Sequence, residues 1–202
     1  MSASRSGIAQ YWVAIRAMLA LTVVLGVGYP LIVTGIGQAT MSWQANGSAV
    51  TEGGTTVGSA LIGQSFTDAD GKPLPQWFQS RPSAAGDGYD GGASSGSNLG
   101  PENTDLVASI EERRAAIAAF EDVDPSSIPA DALTASASGL DPHISPEYAL
   151  LQVPRVARER GLDESSVREL VASMVEGRDL GYLGEPRVNV LELNIALDGL
   201  DK

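Results

Sequence analysis

Asp141-Pro142-His143-Ile144-Ser145 holds the three residue types of a hydrolase triad. A triad needs a hydroxyl nucleophile, an imidazole base and a carboxylate that orients it, gathered from separate elements onto one reacting atom. Residues two apart in one short segment do not converge in that way. The run therefore reads as an Asp-Pro turn with a hydrogen-bonded His, and an exported hydrolase using Ser145 and His143 stands as the competing chemical reading. Asp68-Ala69-Asp70-Gly71 opens like a calcium loop, but the further ligands and the closing Glu are missing, so an Asp-Gly turn accounts for it. Arg155, Arg158 and Arg160 form a small basic cluster, suited to an anion or to salt bridges within an acidic chain. One His and no Cys exclude His-rich and thiolate metal sites, disulfides and Cys nucleophiles. Residues 83–101 hold Gly86, Gly88, Gly91, Gly92, Gly96 and Gly100 with several Ser. They lack Gly-Lys-Ser/Thr and are no phosphate loop; a stretch of that length without a hydrophobic period is a binding loop or plain disorder, and a binding loop is the reading taken.

The chain that must position these residues has 202 residues, 43% apolar and 19% charged, enough for a packed core. A net charge of −12, with 13 basic residues against 25 acidic ones, argues against nucleic acid as a partner. The charge is split. Residues 1–50 hold Arg5 and Arg16 and no acid, which gives +2; residues 51–202 hold the other 11 basic and all 25 acidic residues, which gives −14.

No charge occurs between Arg16 and Glu52, and Ala17–Gly37 is almost wholly apolar. These 21 residues would span about 30 Å as a helix, the thickness of the hydrocarbon core. Tyr11, Trp12 and Trp43 flank the stretch as interfacial aromatics do. Arg5 and Arg16 on the N-terminal side predict a cytoplasmic N-terminus and an extracytoplasmic C-terminal part. A cleaved signal peptide is the alternative, although its apolar region is usually shorter. Pro30 is expected to kink or loosen the helix. Gly26, Gly28, Gly35 and Gly37 would let another helix approach closely.

Residues 42–57 read as a linker. Ala60–Ile62 and Trp77–Gln79 are strand candidates, and Asn103 or Thr104 starts a helix to about Phe120 with Leu106, Ile110, Ile117 and Phe120 on one face. Ser145-Pro146 starts another, which Pro154 should kink or divide. Asp163 caps a third, with Val167, Leu170, Val171, Met174 and Val175 as its apolar stripe and Gly177 and Gly181 at its end. Leu191, Leu193, Ile195 and Leu197 alternate with more polar residues as in a half-buried strand. The expected organisation is an anchor over 1–41 (helix about 11–37), the linker, and one small mixed α+β domain over 58–202.

Seven blocks in order carry a resemblance. They are Gly28-Tyr29-Pro30 with Thr34–Gln38, Gly58–Gln64, Phe78–Ala84, Gly96–Pro101, Leu133–Ser145, Gln152–Ala157 and Leu183–Leu191. Through them the chain resembles the C subunit of the Kdp potassium-transporting P-type ATPase. Residues 42–57 and 121–132 match little, and Trp77 stands where Tyr or Phe is expected. The resemblance implies a non-catalytic subunit of a potassium uptake complex, with a channel-like A subunit, a P-type ATPase B subunit and a small F peptide as partners. It places the chain in the cell membrane as a single-pass protein in contact with lipid. ATP, Mg and K belong to the complex, and no cofactor is assigned to this chain. The family's catalytic-chaperone role, raising the B subunit's ATP affinity, would bring Gln152 near nucleotide. With the N-terminus inside, however, Gln152 would lie across the bilayer from ATP, and a buried amide that organises a helix start is the competing role. Gly26, Gly28, Pro30 and Gly35, with Ser97, Asn98 and Leu99 of the Gly-rich loop, are the candidate contacts to the A subunit. A free-standing membrane-anchored sensor or ligand-binding ectodomain is the reading from another class; it would need a pocket with converging polar groups.

Overall fold

The computed structural model describes residues 6–200; Arg5, which shares in the orientation argument, lies outside the described residues. The chain divides between Ala49 and Val50 into two compact units.

The first unit is helical. Helix α1 (Ser6–Leu21) passes into a π-helical stretch, Thr22–Gly28, and then into α2 (Tyr29–Thr40). Within this run Gly7–Thr40 is a continuous helix of 34 residues with an apolar centre, longer at both ends than the 11–37 expected. Its large apolar side chains are exposed on all sides, Leu25 and Leu31 among them, as a lipid-facing helix requires. The π turn has a local cause. Pro30 offers no N–H, and its ring crowds the carbonyl four residues earlier. Just ahead of it the Tyr29 N–H bonds to the Val24 carbonyl, five residues back. Pro30 thus loosens the helix through a widened turn and leaves it continuous. A short helix α3 (Ser42–Ala45) follows, and Trp43 Nε1 donates to the Ala49 carbonyl at 2.9 Å.

The second unit is α+β, with short strand pairs and helices. Where a linker was expected, β1 (Ala49–Glu52) pairs with β2 (Thr55–Ser59). The two-residue turn is Gly53-Gly54, both at positive φ (56° and 83°), the backbone that such a hairpin demands. Ala60–Ile62 and Trp77–Gln79 do not form strands: Ile62 makes one isolated bridge to Ser59, Trp77 N–H closes a turn onto the Leu74 carbonyl, and the amides of Phe78 and Gln79 donate to side chains. Helix α4 (Thr104–Glu121) is capped by the Asn103 side chain, which accepts from the amides of Asp105 and Leu106. After α5 (Ala130–Leu133), β3 (His143–Ile144) pairs antiparallel with β4 (Val188–Asn189), His143 opposite Asn189 and Ile144 opposite Val188.

Helix α6 (Pro146–Arg160) starts on Ser145, whose Oγ accepts from the Tyr148 amide. It runs through Pro154 undivided, because Pro154 is exposed while its neighbours Val153, Arg155, Val156 and Ala157 are buried and hold the turn. Helix α7 (Glu164–Ser173) begins after Asp163, but that carboxylate takes the Ser165 hydroxyl and caps no amide. It ends at Ser173, short of Gly177.

The expected final strand is instead helix α8 (Val190–Asp198). Its buried residues are Val190, Leu191, Leu193, Asn194 and Leu197, a helical stripe. The core joins Phe78, Ile144, Tyr148, Val153, Val156, Val167, Val171, Val188, Leu193 and Leu197 around α6.

Gly139 shows how closely the loops pack. It sits at φ 69°, and a Cβ there would lie 2.7 Å from the Ser95 carbonyl oxygen and 2.8 Å from Ala85. Gly161, at φ 66°, faces open space. Gly139→Ala is therefore expected to cost about 2–4 kcal/mol, against about 1 kcal/mol for Gly161→Ala, in urea denaturation followed by Trp fluorescence. Equal effects would contradict the packing described.

Candidate functional site

Residues 75–79 run through the second unit without a strand partner, yet their backbone groups are paired. Phe78 N–H donates to Asn194 Oδ1 at 2.9 Å, and Asn194 Nδ2 donates to the Phe78 carbonyl at 3.0 Å. One residue on, Gln79 N–H donates to Gln152 Oε1 at 2.6 Å and Gln152 Nε2 returns a bond to the Gln79 carbonyl at 3.1 Å. Two side-chain amides, one from α8 and one from α6, thus stand in for the neighbouring strand that this segment lacks.

Arg155 completes the network. It is buried, donates from Nη1 to the Trp77 carbonyl at 3.0 Å and also to the Pro75 carbonyl, and from Nη2 to Gln152 Oε1 at 2.9 Å. Its Nε pairs with Glu121 Oε2 at 2.9 Å, and its guanidinium lies 4.5 Å from the centre of the Phe120 ring. Burial pushes the Glu121 carboxyl above the ordinary range, and the hydrogen bond and charge of Arg155 pull it part of the way back. Arg160 pairs with Asp198 at 2.5 Å, donates to the Gln76 carbonyl at 3.1 Å and stacks 4.3 Å from the Trp77 ring centre. Arg158 is exposed beside Glu159. The three arginines are therefore ion-paired within the unit. Gln152 sits inside helix α6, away from its start, with its amide engaged on the 75–79 segment.

The Gly-rich stretch forms an ordered loop laid on residues 136–140. Ser83 Oγ donates to the Gly139 carbonyl at 2.6 Å and accepts from the amides of Ala85 and Tyr89. Ser95 N–H and Ser94 Oγ both reach the Ser138 carbonyl at 3.0 Å. Gly63 N–H donates to the Leu140 carbonyl at 2.9 Å, and Asn189 Nδ2 to the Ala60 carbonyl at 2.8 Å. Tyr89 OH donates to the Arg81 carbonyl, and burial pushes its phenol up to about 12. Blocks distant in sequence, 58–64, 78–84, 133–145 and 183–191, thus meet around this loop. Ser97, Asn98 and Leu99 are exposed, with Asn98 at φ 53°, a left-handed turn that Asn tolerates. In the first unit, Gly26, Pro30 and Gly35 are exposed and Gly28 half-buried. A Cβ at Gly35 would meet nothing within 4 Å, so that flank of the helix is open.

The triad residues do not assemble. Asp141 Oδ1 accepts from the His143 amide at 3.0 Å and lies 3.3 Å from its Nδ1, but Ser145 Oγ donates to Asp131 Oδ1 at 2.9 Å and caps α6. The hydroxyl is thus held by a different carboxylate and by the helix start. Asp141 Oδ2 pairs with Arg81 Nη1 at 2.9 Å. Burial opposes the Asp141 charge, but the bonds from the His143 ring and amide and the Arg81 charge outweigh it and hold the carboxyl below the ordinary range. These groups line an open cleft of 690 Å³ with Arg187 and Glu147. Asp68 Oδ1 accepts from the amides of Asp70 and Lys72, both at 2.9 Å, the expected turn. Among the described residues no group of three or more His, Cys, Asp or Glu is placed to hold a metal ion.

Sequence reasoning missed Asn194, Gln79, Glu121 and Arg81. The available signal was polar residues at apolar-stripe positions: Asn194 lies four residues after Val190 and three before Leu197.

Two outcomes follow from these geometries. Arg155→Met leaves Glu121 buried without its cation and the Pro75 and Trp77 carbonyls without their donor, and is expected to cost about 3–5 kcal/mol on denaturation; adding Glu121→Leu recovers only the part due to the unpaired carboxyl. Because the Asp141 carboxyl is held low, its contribution to stability is present above about pH 4 and is lost as pH falls through its folded value. Asp141→Asn should accordingly be less stable than the wild type at pH 6 and show a shallower acid-side decline between pH 4 and pH 2; identical slopes would contradict the pairing.

Residues 11–199 match the family described as the c chain of the K+-transporting ATPase, KdpC. The chain is 57% identical over 180 residues to a potassium-transporting ATPase KdpC subunit of Kineococcus radiotolerans, covering 89% of this chain and 88% of that one. It is 51% identical over 178 residues to the subunit of the same name from Koribacter versatilis, covering 88% of each. A third such subunit, from Dechloromonas aromatica, is 50% identical over 190 residues, 94% of this chain and 96% of that one.

Proposed function

We propose that this chain, which belongs to the KdpC family of K+-transporting ATPase c chains, is the non-catalytic accessory subunit that holds a potassium-transporting complex together through a membrane helix and a rigid extracytoplasmic docking unit. The observation that carries this reading is the extent of the match: it covers the membrane helix and almost all of the second unit together. Arg16 before the apolar run, and a second unit rich in acid, support a cytoplasmic N-terminus and an external C-terminal unit. The partners are a channel-like A subunit, a P-type ATPase B subunit that hydrolyses ATP, and a small F peptide. Gly26, Gly28, Pro30 and Gly35 lower the side-chain bulk of the helix where it packs against the A subunit. Ser97, Asn98 and Leu99 present the Gly-rich loop to its external side.

The chain raises the B subunit's affinity for ATP indirectly. Gln152 supports an indirect route, because its amide is committed to Gln79 and Arg155 inside the second unit. Coupling between distant sites requires a shared conformational equilibrium and no contact with nucleotide.

The test is affinity purification of the tagged chain from membranes of potassium-starved cells, followed by ATPase assays. The A, B and F subunits are expected to co-purify, and complex depleted of this chain to show a higher KM for ATP. Complex carrying Gln152→Ala at full subunit occupancy should keep the wild-type KM within about twofold, whereas a direct nucleotide ligand would lose about tenfold or more. Recovery of the chain alone in mild detergent would overturn the subunit assignment and favour an anchored sensor.

A further inference from the structure

Between α7 and β4 the chain leaves the body of the second unit as a narrow ribbon. Its base is closed by Glu176 and Arg187, whose amides and carbonyls exchange bonds of 2.8 and 3.0 Å. Further out, Asp179 and Leu183 exchange two bonds of 2.9 Å. Ion pairs brace the sides: Arg187 Nε lies 2.9 Å from Glu176 Oε2, Arg187 Nη1 lies 3.5 Å from Asp179 Oδ2, and Arg178 pairs with Glu185.

The tip is apolar and turned outward. Leu180 is 82% exposed, Tyr182 68% and Leu183 48%. Leu180 also sits at φ 54°, followed by Gly181 at φ 82°. The left-handed region is disfavoured for a residue with a side chain of this size. That conformation secures no contact within the unit, since the side chain projects into solvent. A braced turn that displays Leu, Tyr and Leu has the features of a preorganised anchor, in which little backbone freedom remains to be lost on binding.

We infer that the 176–187 ribbon is a docking element whose tip, Leu180, Tyr182 and Leu183, enters a pocket on a partner polypeptide of the transport complex, apolar at its floor and basic at its rim. The inference rests on the subunit reading above. Charge selects a protein pocket over the lipid surface. The ribbon carries Glu176, Asp179 and Glu185 against Arg178 and Arg187, and residues 51–202 carry −14 in total. An acidic body of this kind is repelled by anionic headgroups, whereas membrane-surface segments usually carry an excess of Lys and Arg. A basic-rimmed protein pocket complements both the apolar tip and its acidic surroundings.

The absence of native Cys makes a single label possible. Leu183→Cys, coupled to an environment-sensitive fluorophore, is compared in lipid nanodiscs holding the full chain alone and in the assembled complex. A blue shift and protection from iodide only in the complex are expected. In parallel, Leu180→Asp with Tyr182→Ser should leave the denaturation midpoint unchanged and lower recovery of the partner subunits at least tenfold. A label equally quenched in both states, or undiminished recovery with the double variant, overturns the docking element. Protection in nanodiscs without partners also overturns it and assigns the tip to lipid. Failure of the wild-type chain to recover partners would instead strike the subunit reading itself.

Discussion

The second unit depends on how the irregular chain at 75–79 is hydrogen-bonded. Phe78 is fully buried, and a buried backbone amide or carbonyl without a partner is costly. Among the described residues no strand runs beside this segment. Asn194 and Gln152, each offering one donor and one acceptor, satisfy Phe78 and Gln79 as a neighbouring strand would. Arg155 then gathers the carbonyls of Pro75 and Trp77 and is itself neutralised by Glu121. Helices α4, α6 and α8 are tied to the same short segment, so their relative placement and the path of the loops are set together.

That arrangement explains why a unit with so little strand can present a stable surface. The Gly-rich loop does not lie free. It is fixed to 136–140 through Ser83, Ser94 and Ser95, and close packing at Gly139 leaves no room for a side chain. The polar side chains with chemical potential are engaged in this construction: Ser145 caps a helix, Asp141 binds Arg81, and Gln152 pairs with backbone. A surface of rigid loops on a unit joined to one membrane helix suits recognition, in keeping with the family to which the chain belongs. In the first unit the π turn before Pro30 serves a related end, since it absorbs the missing N–H while keeping the helix continuous.

Local chemistry made the helices legible. Asn103, Ser145-Pro146 and the Val167–Val171 stripe are signals that act within a turn or two: two helices begin directly after Asn103 and Ser145, and α7 carries the stripe. The membrane run was equally plain, because Ala17–Gly37 is almost wholly apolar and long enough to span the hydrocarbon core. Some readings failed for identifiable reasons. Leu191–Leu197 looked like a strand because Asn194, read as outward-facing, is buried; once it counts as inward, the period is helical. The Gly53-Gly54 hairpin was hidden in a polar stretch whose strands bury little. Pro154 was expected to disrupt α6, but its exposure lets the buried residues on either side carry the helix past it. The site network was illegible, since Gln79, Gln152 and Gln79's neighbour Phe78 lie 73 residues or more from their partners and nothing local marks the pairing.

The central claim is that side-chain amides hold the 75–79 segment as firmly as a sheet would. Native-state hydrogen exchange of the full chain in lipid nanodiscs addresses it most directly, read at the amides of Phe78 and Gln79. Both should exchange only through global unfolding, at the same free energy as the central amides of α6. Exchange of these two amides at loop-like rates, while α6 stays protected, would contradict the account.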